Sequence, residues 1–199
     1  MPVILSAVGH GFTDRPLFSG VDARLDPGRV YSLSGPSGSG KSTLLGIIAG
    51  WTAPREGSVE HIDVTGIGWV FQNPYGVSRR TALDHVALPF LARGDRRLDA
   101  EARADDLLVQ FGLGHTRDRA FSALSGGEAQ RLMLARGIAA EPDLLLVDEP
   151  TAQLDVHAAT TVNSVLGELA RQGTIVVVAT HDPRTRDACT DHLDLGRTT

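Results

Sequence analysis

Apolar positions along the chain change their rhythm twice. Up to residue 72, short β-like runs alternate with turn signals, of which Asp26-Pro27-Gly28 is the clearest. Residues 29–34 (RVYSLS) predict a strand, 42–49 a helix with Gly50 near its end, and 67–71 (IGWVF) another strand. From residue 73 to 140 the pattern turns helical. Its clearest stretch is 100–111 (AEARADDLLVQF), where Ala104, Leu107, Leu108 and Phe111 recur at helical spacing. Core packing of a helical lobe accounts for that face. The last third returns to α/β. LLLV at 144–147 is short and continuously apolar, as a strand buried on both faces of a parallel sheet should be. Asp155 predicts a cap for a helix running to Arg171, with Val162, Val165, Leu166 and Leu169 inward and Gly173 as its stop. Residues 174–180 predict a second buried strand, so the order strand, helix, strand implies a right-handed βαβ unit.

Composition narrows the class. The 199 residues suffice for one core, or one core with a small lobe. Hydrophobic residues make up 42%, an ordinary share for a soluble protein, and the net charge of −5 recommends no nucleic-acid partner. Cys189 is the single cysteine, so no internal disulfide forms, which fits a reducing compartment. The apolar runs at 144–147 and 175–179 fall far short of the ~20 residues that cross a bilayer. The N-terminal MPVILSAVGHG lacks a basic n-region. The expectation is a protein that meets a membrane only through a partner.

The candidate chemistry begins at LSGPSGSGKST. Gly35-Pro36-Ser37-Gly38-Ser39-Gly40-Lys41-Ser42 fits G-x-x-x-x-G-K-[ST], and Thr43 follows it. Glycines let the backbone curl until its N–H groups point at phosphate oxygens. The helix that begins near Lys41 adds the positive end of its dipole. Lys41 supplies a point charge for β- and γ-phosphates, and Ser42 a hydroxyl for Mg²⁺. Asp148 ends the apolar strand, Glu149 follows it, and His181 stands at the same end of the next strand. Ligands of open α/β sheets bind beyond the carboxyl ends of strands. Asp148 is the expected metal carboxylate and Glu149 the general base, with His181 near the γ-phosphate.

Together these residues resemble the nucleotide-binding subunits of ABC (ATP-binding cassette) transporters. The family motifs follow in order: the P-loop at 35–42, Gln72 in VFQNP, the signature LSGGEAQR at 124–131, LLLVDEP, the loop TAQLD, and His181. The resemblance implies a P-loop NTPase core with a mostly parallel sheet, a small N-terminal antiparallel β-subdomain and an inserted helical lobe. In those terms one domain spans 1–199, with 1–72 and 141–199 forming a RecA-like core and 73–140 the lobe. It further implies a head-to-tail dimer with two ATP molecules, each held by one chain's P-loop and the other's signature. Gln72 would reach Mg²⁺ and the attacking water, Phe12 would stack on adenine, and a transmembrane permease would be the partner at the inner face of the cell membrane. The stretch TALDHVALPFLARG resembles the lipoprotein-release and macrolide-export group, with His85 where an Asn is usual. Two departures stand out: Ala152-Gln153 replaces the usual Ser-Ala before Leu154-Asp155, and the span from Lys41 to Gln72 is short for the family.

The signature has a plain explanation and a functional one. Ser125-x-x-Glu128 is a capping box for a helix that packs Leu132, Ala135, Ile138 and Ala139 and ends before Pro142. That account leaves Gly126 and Gly127 unexplained, since each weakens a helix by about 0.5–1 kcal/mol relative to alanine. Close approach of a phosphate to the helix N-terminus does explain them. The absent lysine then suggests half of a site, completed by another chain. The competing readings are a soluble ABC ATPase of translation or DNA repair, or a small P-loop kinase. The first normally carries paired cassettes or a long coiled coil, and the second has no use for LSGGEAQR.

Overall fold

A computed structural model describes residues 1–12 and 15–196, apart from the Arg15 side chain. Strands β1 (Val3–Phe12), β2 (Arg15–Leu25), β3 (Val30–Ser34), helix α1 (Lys41–Ile48), β4 (Glu56–His61) and β5 (Ile67–Val70) come first. Then come α2 (Ala82–Ala92), α3 (Arg97–Gln110) and α4 (Gly126–Ala139). The chain continues with β6 (Leu144–Asp148), α5 (Val156–Arg171), β7 (Ile175–Ala179), α6 (Pro183–Asp187) and β8 (Asp191–Asp194). One sheet is antiparallel, in the order β2-β1-β4; the other runs β5-β6-β7-β3-β8 with every pair parallel.

All ten residues of β6 and β7 are buried, as continuously apolar runs require. Side chains alternate across a strand, so the parallel sheet separates two cores. Leu145, Val147, Val176 and Val178 pack with α5 and the helices α2–α4, while Leu144, Leu146, Ile175 and Val177 pack with α1 and the antiparallel sheet. Asp155 caps α5 by accepting the Ala158 N–H at 2.8 Å, and Gly173 follows with φ 108°. Val162, Val165, Leu166 and Leu169 form the buried face of α5.

The helical stretch starts later than residue 73. Pro74 and Gly76 intervene, and Thr81 with Asp84 closes a capping box that starts α2 at Ala82. Helix α3 starts three residues before Ala100. Its first turn carries the exposed ion pairs Arg96–Asp99 and Arg97–Glu101, which leave no apolar trace in the sequence. Strand β8 is a four-residue edge strand, DHLD, whose positions alternate between half-buried and exposed, too short to register as a pattern.

Candidate active site

Strand β3 delivers the chain into the P-loop, and α1 takes it out again. The N-cap of α1 is Gly40, left-handed at φ 93° and without a side-chain cap. A Cβ there would lie 2.8 Å from the Phe18 ring, so only glycine fits. The first N–H groups of α1 are therefore left to a ligand. Lys41 Nζ donates to the carbonyls of Gly35 (2.9 Å) and Pro36 (3.2 Å), which folds the ammonium back over the loop. Ser39 Oγ is buried with no hydrogen-bond partner.

The carboxyl ends of β6 and β7 bring in the acids. Ser42 Oγ donates to Asp148 Oδ2 at 2.6 Å. Burial pushes the Asp148 carboxyl above the usual range, opposed by the Ser42 bond, and neighbouring Glu149 pushes it further. Glu149 sits at φ 49°, held there as its N–H donates to Ala179 O at 2.9 Å. Its carboxylate is met by His181 twice: Nδ1 lies 2.8 Å from Oε1, and the backbone N–H reaches Oε2 at 3.4 Å. Glu149 is buried while the His181 side chain is 70% exposed, so the imidazole stands between the acid and solvent.

These groups line one cavity of about 730 Å³, within the usual range for a small-molecule site. It takes in residues 35–43 except Ser39, together with Gln72, Asp148, Glu149, His181 and Phe12, and adds Leu17, which carried no sequence signal. Phe12 is 63% exposed, with its ring edge-on to His10, so an aromatic face is open to a flat ligand.

Ser125, Gly126 and Gly127 are not part of that lining. They open α4, where the capping box closes fully: Ser125 N–H donates to Glu128 Oε2 at 2.8 Å and Glu128 N–H to Ser125 Oγ at 3.3 Å. The Ser125 backbone bond leads the effects that hold the Glu128 carboxyl down at about 2, with the Ser125 hydroxyl, His115 and Arg119 adding to it. The structure also gives Gly127 an internal reason, while the atom nearest Gly126 is the movable end of an exposed side chain. A Cβ on Gly126 would lie 2.6 Å from Gln153 Oε1, and one on Gly127 3.2 Å from Gln153 O and from Leu154 Cδ2. The loop after Glu149 thus crosses the start of α4 in the same chain.

A second, more apolar groove of about 580 Å³ lies between the end of β5 and α4, lined in part by Trp69, Phe71, Tyr75, Pro89 and Met133. Within it Trp69 stacks on Phe71 with ring centroids 5.1 Å apart, and Trp51, outside the lining, tilts against Trp69 at 4.8 Å. Tyr75 is 86% exposed.

Residues 18–152 match the family model described as ABC transporter. The chain belongs to that family. An uncharacterized ABC transporter ATP-binding protein of Mycobacterium tuberculosis is 39% identical over 87% of this cassette. The cassette spans only 57% of that relative's length. The lipoprotein-releasing system ATP-binding protein LolD of Alcanivorax borkumensis is 35% identical, covering 96% of the cassette and 91% of LolD. Among solved structures, a dimeric ATP-binding cassette in a post-hydrolysis state, bound to ADP and Pi, superposes with a TM-score of 0.84. It is 28% identical and covers 98% of this cassette and 95% of that chain. The α/β fold is the P-loop NTPase fold of such cassettes. Among the described residues, no helix is long and apolar enough to cross a membrane.

Proposed function

We propose that this chain is the ATP-hydrolysing subunit of an ABC transporter, working head-to-tail with a second copy and driving a separate transmembrane permease. One observation carries the reading: P-loop, Asp148, Glu149 and His181 share a cavity, while the signature opens a different helix outside it. In this reading the chain is one cassette, with 1–72 and 141–199 as core and 73–140 as lobe.

The residues divide the work. Phe12 stacks on the base. The uncapped start of α1, the backbone of 35–43 and Lys41 bind the phosphates. Glu149 takes the proton of the attacking water, and His181 orients its carboxylate. Ser125, Gly126 and Gly127 meet the γ-phosphate held by the other chain. Ser42, Asp148 and Gln72 fit a divalent cation: a hydroxyl and a carboxylate oxygen already lie 2.6 Å apart, and Gln72 shares their cavity. Bound Mg²⁺ would neutralise charge on the β- and γ-phosphates.

The apolar groove beside Trp69, Phe71 and Tyr75 is the seat for the permease, which would hold the protein at the inner face of the cell membrane. The lipoprotein-releasing relatives make a permease of that class the first to test.

Glu149→Gln is expected to slow ATP hydrolysis by roughly 10²–10⁴-fold. It should also let an ATP-bound dimer accumulate, visible by size-exclusion chromatography with MgATP. A chain that hydrolyses at the parental rate, or stays monomeric with ATP, would refute the assignment.

A further inference from the structure

The segment between β5 and α2 carries Gln72, and it is fastened to the helices at both ends. Near its start, Gln130 of α4, fully buried, donates Nε2–H to Phe71 O at 3.4 Å. Near its end, Val77 N–H donates to His85 Nε2 at 2.9 Å. His85, on α2 and 5% exposed, places its other nitrogen, Nδ1, 2.7 Å from Thr81 O. A carbonyl only accepts and an amide N–H only donates. The two partners therefore fix one neutral tautomer, with the proton on Nδ1 and the lone pair on Nε2 facing Val77.

The attachment continues beyond these bonds. The His85 ring leans on Phe121 with centroids 5.3 Å apart, and Gly76 packs against the same Phe121 ring. Phe121 N–H donates to Arg80 O at 2.9 Å and Ser122 N–H to Ser78 O at 3.1 Å. The segment from 71 to 80 is thereby bound to α2, α4 and the turn before the signature, while Gln72 itself lies in the nucleotide cavity.

We propose that His85 and Gln130 are positioning residues for Gln72: they fix the Gln72 segment to the helices, so that Gln72 keeps its place relative to the signature helix. This rests on the reading that Gln72 acts at the nucleotide. Neither residue lines the nucleotide cavity, so both act through the backbone they hold.

The test is steady-state ATP hydrolysis by the full chain with Mg²⁺. His85→Ala and Gln130→Leu are each expected to lower kcat about tenfold, the scale of a misplaced catalytic group, and to leave the ATP KM within about twofold. Adding His85→Ala to Gln72→Ala should cost nothing more. His85→Gln, whose carbonyl oxygen can accept the Val77 N–H, should recover most of the loss.

Where Gln72→Ala is slow but His85→Ala multiplies its defect, the proposal fails and the Gln72 reading stands. A Gln72→Ala chain with the parental rate would overturn the Gln72 reading and this consequence with it. Should His85→Ala not fold, NMR of the parental chain decides. The Nδ1–H tautomer in the imidazole ¹⁵N shifts and a protected Val77 amide are expected; the other tautomer, or an unprotected amide, overturns the proposal.

Discussion

Two helices of this protein begin at glycines, and they begin in opposite ways. Helix α1 opens with Gly40 left-handed and no side-chain cap, and a lysine follows. Helix α4 opens with Ser125 and Glu128 capping each other, and no lysine. The first leaves its N-terminal N–H groups open and adds a positive charge, as a complete phosphate cradle requires. The second satisfies the N–H groups of Ser125 and Glu128 internally and leaves those of Gly126 and Gly127 outside the box. The glycines differ too: at Gly40 the left-handed backbone angle and the Phe18 ring both exclude a side chain, whereas at Gly127 the loop of Gln153 and Leu154 only presses close and at Gly126 the neighbour is a movable side-chain end. An uncapped helix start reads as a site by itself. A capped one reads as a contact surface that needs another chain's charge.

The largest test of that contrast is complementation. Lys41→Ala breaks the first cradle and Ser125→Arg the second, and each chain alone should be inactive. Mixed in equal amounts, they should regain roughly a quarter of the parental rate, because half the dimers are mixed and each has one intact site of two. If activity stays at the level of the single variants, the two cradles do not serve one ATP across an interface.

Much of the first cradle was legible, and of the second the Ser125–Glu128 capping box, but not the loop that crosses it. The P-loop spacing, the buried run before Asp148 and the Asp155 cap are local patterns, and local patterns survive in a sequence. The Gln153 approach to Gly126 joins distant segments through one side chain, so no periodicity announces it. The same holds for His85, which reads as a departure within a helix but anchors Val77 across a turn. Residues 73–81 read as the start of the helical lobe because the apolar rhythm fades there gradually, whereas the backbone obeys Pro74, Gly76 and the Thr81 cap.

A smaller effect separates the two reasons for glycine at the signature. Gly126→Ala should change stability by less than about 1 kcal/mol in urea unfolding, because its methyl meets closely only the carboxamide end of the exposed Gln153 side chain, which can swing aside. Gln153→Ala removes that carboxamide, so the double variant should match Gln153→Ala in stability within the same margin. Hydrolysis by the double variant should remain impaired, because in the proposed dimer the added methyl stands where the other chain's phosphate would approach. A double variant that hydrolyses ATP at the parental rate would mean that Gly126 makes room for no phosphate.

The smallest effect concerns the cap, which α1 has no counterpart for. Glu128→Ala should cost about 0.3–1 kcal/mol at neutral pH, the worth of a carboxylate at a helix N-terminus. The folded carboxyl titrates at about 2, below its ordinary value of 4.5. A depressed value means that folding favours the ionised form, so the contribution is complete above 4.5 and fades as pH falls toward 2. The gap in unfolding free energy between parent and Glu128→Ala should therefore be constant from pH 7 to about 5 and close below that. A gap that persists unchanged into strong acid would show that the side chain acts by packing, not by charge. The same titration applied to Gly40→Ala should show no such closure, since the start of α1 holds no carboxylate cap.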